Sequence, residues 1–274
     1  MTTQQDFYHL VNETTRAAND IWLKGWAERN AGNISVRLKP EQMPEQRVPD
    51  EEWTTCGFEL PELGGEFFLF SGTGCYMRNV AMNPDCFLGV IELDKRGAGY
   101  RRVWGFTEGG RPTSELAPHL RAHAARMQAS GGLDRVIMHT HAPALIALSY
   151  SLDLDTARLT RLLWEMHTEC IVIFPCGCGF VSWHIPGSDA LALATAQELR
   201  KRTLALWQFH GAIGSGPDID TALGLIDTAE KAALIYTHAA ASGGVRNNLS
   251  TEQLSALADA FDVTPDTEIL NMRQ

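Results

Sequence analysis

Positive charge is in short supply in this sequence. Twenty-three lysines and arginines stand against 33 aspartates and glutamates, a formal net charge of −10. A surface that binds a nucleic-acid backbone needs clustered cations, so nucleic acid is not an expected partner. A small anion is not excluded, because a few local donors hold one phosphate against an unfavourable net charge. Long apolar runs are missing as well. No stretch approaches the roughly 18 residues that a membrane span requires, so no membrane partner is expected. Residues 1–20 are polar and helical in pattern, without the basic and then apolar segments of an export signal. Cysteine is sparse, with six residues, and Cys176-Gly177-Cys178 has no second pair at finger-like spacing. Reduced thiols in a cytoplasm are the expectation. Repeats and low-complexity linkers are also absent, which leaves one domain over residues 1–274.

Apolar residues make up 45% of the chain, enough for a sizeable core. Phe7, Leu10, Val11, Ala18, Ile21 and Trp22 recur at helical spacing and predict an amphipathic helix over 6–29. It ends at Asn30-Ala31-Gly32-Asn33, a turn-forming cluster. Ile34, Val36 and Leu38 alternate with Ser35 and Arg37 as in a half-buried strand. Residues 39–66 are rich in proline and glutamate and read as a surface insertion. Further strands are expected at 67–70, 87–93, 100–104, 135–141, 170–174 and 203–210. Helices are expected at 116–129, 156–166, 188–202 and 219–239. Ser250-Thr251-Glu252-Gln253 is a capping box opening a last helix, with Leu254, Leu257, Ala258 and Phe261 facing inward. The class is α/β.

Chemistry concentrates in a few places. His139 and His141 stand two apart at the polar end of an apolar strand, so both imidazoles face one side and can chelate a divalent cation. Taken alone, such a pair more often caps a strand end by hydrogen bonding. His210, at the end of a second apolar strand and followed by Gly211, supplies a third candidate ligand. Three histidines suit zinc or a similar borderline metal and leave a coordination position for substrate. The other histidines, His119 and His123 among them, read as surface or packing residues. Three polar turns are candidate anion sites: Asn30 to Asn33, Ser71-Gly72-Thr73-Gly74, and Thr113-Ser114 at a helix start. Each is also an ordinary turn or cap. Glu115 either complements a helix dipole or serves as a base for a proton α to a carbonyl.

Together, His139-Thr140-His141, His210-Gly211, Pro112-Thr113-Ser114-Glu115 and Gly32-Asn33 resemble the class II aldolase/adducin family. The segments Trp22 to Asn30, Val103-Trp104-Gly105, Leu163-Trp164-Glu165, Thr168-Glu169-Cys170 and Gly224 to Lys231 resemble its branch acting on L-rhamnulose 1-phosphate. The likeness runs over residues 15–264. It implies a single-domain α/β fold, with a central, largely antiparallel sheet flanked by helices on both faces, assembled as a homotetramer. It implies one Zn2+ per subunit on His139, His141 and His210, with Glu115 as catalytic acid/base. By the same resemblance the substrate phosphate falls to Asn30, Asn33, Thr73, Gly74, Thr113 and Ser114. Glu169 becomes a second carboxylate that reaches a neighbouring subunit's site. The implied reaction is reversible cleavage of L-rhamnulose 1-phosphate to dihydroxyacetone phosphate and L-lactaldehyde. A fuculose-phosphate aldolase, a pentose-phosphate 4-epimerase and a non-catalytic adducin-like module are the rivals on one scaffold. Two positions depart from the branch: the hydroxyls of Ser71 and Thr73 come in reversed order, and Met166-His167 precede Thr168-Glu169.

Overall fold

The computed structural model describes residues 3–49 and 51–272, so the ends of the expected domain and position 50 in the expected insertion lie outside the described residues. The first half of the chain contains α1 (Thr3–Leu23), β1 (Asn33–Arg37), β2 (Thr54–Thr55), β3 (Phe67–Ser71), α2 (Pro84–Phe87), β4 (Leu88–Leu93), β5 (Gly99–Gly105) and α3 (Leu116–Ala129). There follow β6 (Val136–Thr140), α4 (Pro143–Ser151), α5 (Thr156–Met166), α6 (Thr168–Ile173), β7 (Cys178–Val181) and α7 (Asp189–Leu199). The chain closes with β8 (Leu204–Trp207), β9 (Gly211–Gly216), α8 (Ile219–Ala241), α9 (Thr251–Ala260) and α10 (Thr267–Leu270).

One nine-stranded sheet runs in the order β2-β5-β4-β3-β1-β6-β9-β8-β7. Every neighbouring pair is antiparallel except β7 with β8. The alternation of side chains along each strand explains the two helical layers. Ile34, Val36, Met138, Leu206 and Ala212 face one side, where α1, α4, α5 and α8 cover them with residues such as Ile21, Leu148, Leu163 and Ile226. Ile137, Ala205 and Ile213 face the other side with Phe68 and Phe70, against α3 and α7. The expected fold class holds: a largely antiparallel sheet with helices on both faces. No helix among the described residues is long and apolar enough to cross a membrane.

Several elements differ from the expectation. The first helix stops at Leu23, because Gly25 takes φ +77° and the chain turns there. Residues 170–174, expected as a strand from their β-branched run, lie mostly in α6, whose N-cap is His167 accepting from the Glu169 N–H. Here the cap and packing against the helical layer override residue preference. The strand of that region is β7, a few residues on. Residues 203–210 are not one strand: β8 ends at Trp207 and a three-residue loop carries His210 into β9. Strand β9 reads Gly-Ala-Ile-Gly-Ser-Gly, too glycine-rich to look like a strand, yet wholly buried. The 39–66 insertion is more than a surface excursion, since β2 pairs with β5 and Leu60 and Leu63 enter the core. Phe261, expected to face inward, is 58% exposed.

Candidate active site

Strand register gathers the site at one end of the sheet. Asn33 opens β1 directly opposite His139 of β6, and His139 lies opposite Ile213 of β9. The His210 loop therefore arrives beside the end of β6. His141, one residue beyond β6, is tied down by its backbone N–H bonding to the Trp26 carbonyl. Immediately after it, the Glu230 carboxylate accepts from the N–H groups of Ala144 and Leu145, both at 2.8 Å. That bond caps the start of α4 from α8, as an anion at a helix N-terminus should.

His139, His141 and His210 converge as the spacing argument anticipated. One nitrogen from each lies within 4.8 Å of those of the other two, and this triad is the only such metal-competent group found among the described residues. Their ring centroids are 4.8–5.2 Å apart. The proton positions favour a cation. His139 Nδ1 donates to the Ala212 carbonyl at 3.0 Å, which leaves Nε2 as a bare lone pair, buried and without a partner. His141 Nδ1 donates to Glu28 Oε1 at 2.7 Å, so its Nε2 is likewise the free nitrogen. A carboxylate or carbonyl on the far nitrogen of a ligating imidazole is the usual way of setting its tautomer and direction. Burial drives His139 well below the ordinary imidazole range and His210 down to about 4, with neighbouring imidazoles adding to the effect. Neutral rings are what a metal needs. Trp207 stacks behind His139 at 4.4 Å and His210 at 5.1 Å, fixing both rings against an apolar wall.

Glu115 sits at the start of α3 but makes no side-chain cap bond. Its carboxylate instead points into the site, Oε2 3.6 Å from His139 Nε2 and Oε1 3.6 Å from His210 Nε2. These gaps are too long for hydrogen bonds. The residue is 6% exposed, and burial raises its carboxyl above the ordinary range, opposed by the Asn33 hydrogen bond and by His141. A buried carboxyl raised above its ordinary range beside a trio of imidazoles is equipped to take and return a proton.

The cavity these groups line has a volume of about 290 Å3. Its far wall is Asn30, Gly32, Gly72, Gly74, Thr113 and Ser114, with Arg29 at the rim. Two loops are stitched together there: the Thr113 N–H donates to the Ser71 carbonyl at 3.1 Å, and the Thr73 N–H to that of Arg111 at 2.9 Å. Of the six expected phosphate residues, Asn30, Asn33, Gly74, Thr113 and Ser114 line the cavity, while Thr73 is exposed and lies outside its walls. The Asn33 amide is already committed at both ends, to Glu115 and to His119. Glu169 is exposed on α6 and forms no part of this cavity. A larger cavity, about 900 Å3, lies past the opposite end of β1 among Arg37, Lys39, Arg47 and Arg135. It offers no histidine, so the reactive groups belong to the smaller one.

Sequence reasoning missed four contributors. Glu28 and Glu230 are ordinary acidic residues in helix-like stretches, and only tertiary packing shows what they hold. Of the surface and packing alternatives, His119 and His123 take the second: both are fully buried, with hydrogen-bond partners that the sequence did not show. One signal was available: Glu115, His119 and His123 repeat at intervals of four, on one face of a helix.

The sequence profile of the Class II Aldolase and Adducin N-terminal domain matches residues 12–237. A rhamnulose-1-phosphate aldolase of Pectobacterium carotovorum is 48% identical over 259 residues, covering 93% of this chain and 94% of that protein. The rhamnulose-1-phosphate aldolase of Yersinia pestis is 50% identical over the same shares of both chains. Among solved structures, a sugar-phosphate aldolase from Thermotoga maritima superposes with a TM-score of 0.74 at 29% identity, covering 87% of this chain and 97% of that one. With the fold, the three convergent imidazoles and the buried carboxylate in agreement, this chain belongs to the class II aldolase and adducin family.

Proposed function

We propose that this protein is a zinc-dependent aldolase that cleaves L-rhamnulose 1-phosphate to dihydroxyacetone phosphate and L-lactaldehyde, reversibly. One observation carries the reading. Three imidazoles converge, one with an orphaned buried lone pair, and a buried carboxylate lies 3.6 Å from the Nε2 atoms of two of them. Two relatives at 48% and 50% identity that bear this activity in their names support the choice of substrate.

His139, His141 and His210 would hold the cation, and an all-imidazole set favours zinc over the harder magnesium or calcium. When bound, zinc supplies a Lewis acid to the carbonyl and hydroxyl oxygens of the three-carbon fragment. The rest falls to the chain's own groups. In the synthetic direction the Glu115 carboxylate takes a proton from the carbon that becomes the nucleophile. In cleavage the hydroxyl on the carbon that becomes the aldehyde gives its proton to the Glu169 carboxylate of a second copy as the carbon–carbon bond breaks, and the Glu115 carboxyl delivers a proton to the carbon left behind. Asn30, Thr113, Ser114 and the backbone about Gly74 would receive the phosphate, with Arg29 offsetting its charge. Glu169, which does not line its own cavity, would serve the aldehyde half in a second copy of the chain, which requires an oligomer; we infer a tetramer.

The test is a retro-aldol assay on L-rhamnulose 1-phosphate, L-fuculose 1-phosphate and a pentulose phosphate, with dihydroxyacetone phosphate as the readout. Turnover of the first above the others, lost on chelation and restored by zinc, is the expected result. Preference for the fuculose ester, or no release from any ester, would refute the assignment. Mixing inactive Glu115→Gln and Glu169→Gln proteins should restore part of the activity; no recovery on subunit exchange would refute the shared site.

A further inference from the structure

The polar face of β1 holds more hydrogen-bonding chemistry than the reaction above uses. Behind Glu115 lie Ser35, His119 and His123, outside the cavity lining and joined to Glu115 through Asn33 of the cavity wall; none of these four is more than 6% exposed. Asn33 and Ser35 are two apart on β1 and share a face. His119 and His123 are four apart on α3 and share one too. The two faces meet, and their polar atoms form one unbroken line.

Donor and acceptor roles along that line follow from its first member. A carboxylate only accepts, so the Asn33 amide nitrogen donates to Glu115 Oε2, at 2.8 Å, and Asn33 Oδ1 becomes an acceptor. His119 Nε2 must then carry its proton and donate to Asn33 Oδ1. A neutral His119 has a bare Nδ1, which accepts from the Ser35 hydroxyl at 2.6 Å. Ser35 Oγ in turn accepts from His123 Nε2 at 2.8 Å. Each donor points toward Glu115. Phe70 packs on His119 and Phe68 on His123, while Arg37 and Arg135 stand near enough to His123 to oppose its protonation. Apolar side chains would fill such a space without the desolvation cost of two imidazoles and a hydroxyl.

We propose that Ser35, His119 and His123 are positioning residues that act through Asn33 to fix the Glu115 carboxylate. Oε2 is pinned from behind, and the plane of the carboxylate is set so that it faces the gap between His139 and His210. A general base misplaced by about 1 Å loses on the order of 100-fold in rate, so a rigid backing of this kind bears directly on turnover. The inference rests on the reading of Glu115 as the base.

The experiment uses the full-length, zinc-loaded enzyme and follows kcat, KM, zinc content and the exchange of the dihydroxyacetone phosphate α-proton with deuterium. His119→Leu should lower kcat and exchange together by about 10- to 100-fold with zinc retained and KM within about threefold of wild type. Ser35→Ala, a small change that spares the packing, should cost about 3- to 10-fold in the same quantities. His119→Gln keeps a donor for Asn33 Oδ1 and should recover most of the loss. In a Glu115→Gln background, His119→Leu should cost nothing more, because its effect passes through the carboxylate. Wild-type kcat in Ser35→Ala and His119→Leu would overturn the proposal. So would an equal loss in the Glu115→Gln background, or a loss expressed in KM or zinc content. Wild-type exchange in Glu115→Gln alone would instead refute the base assignment.

Discussion

Replacing Gly211 by alanine adds one methyl group at the tightest point of the metal site. Its Cβ would lie 2.3 Å from the Thr140 carbonyl oxygen, 2.8 Å from His139 Cε1 and 3.2 Å from His141 Cδ2. An ordinary contact of this kind is about 3.5 Å. The carbonyl cannot give way, because β6 and β9 are paired at Thr140 and Ala212. The loop carrying His210 must therefore shift by roughly 1 Å, away from both other ligands. Gly211 has no positive φ, so backbone strain plays no part and the effect is steric alone. Overpacking of this order costs about 1–3 kcal/mol, more than the 0.4–1 kcal/mol that an alanine recovers by stiffening the unfolded chain. Misdirected ligands should weaken zinc by at least 10- to 100-fold, the scale seen when ligand orientation is lost. Zinc content after dialysis against a metal buffer, together with thermal unfolding, measures both terms. A Gly211→Ala protein with wild-type zinc retention and turnover would refute the geometry.

Glu28→Ala removes the acceptor of His141 Nδ1 and should weaken zinc by about 10-fold in a competition titration with a chromophoric chelator, because the partner is exposed at the surface. Unchanged affinity would show that the bond is incidental. Burial holds His119 down to about 3 and His123 well below 6.5, so between those values and 6.5 the unfolded chain binds protons that the folded one does not. Stability is then full above about pH 6.5 and is lost as pH falls, by about 1.4 kcal/mol per pH unit for each imidazole. Urea midpoints from pH 7 to 5 should show that slope, shallower in His123→Phe; a flat profile would contradict it.

The convergence of His139, His141 and His210 was legible because period-two alternation and a following glycine are local signals that survive folding. The helices with apolar stripes, such as α3, α5 and α8, were legible for the same reason. Strand β9 was not, since its glycines are there to let His139 and Ile226 approach, a demand made by neighbours distant in sequence. The strand expected at 170–174 failed because β-branched residues also pack well in a short, capped helix. The cavity wall proposed for the phosphate was partly legible: the loops were found, but the spending of the Asn33 amide on Glu115 and His119 appears only once α3 lies on β1. Glu28 is the plainest case of an invisible role. Nothing near it in sequence distinguishes it from a solvated helix-end carboxylate.

The central claim is that Glu115 moves the proton while the three imidazoles hold the metal. Zinc-loaded Glu115→Gln, incubated with dihydroxyacetone phosphate in deuterium oxide and followed by proton NMR, tests it without an aldehyde partner. The account predicts wild-type zinc content, retained binding of dihydroxyacetone phosphate, and α-proton exchange slowed by about 100-fold or more. Exchange at the wild-type rate in the zinc-loaded variant would contradict it.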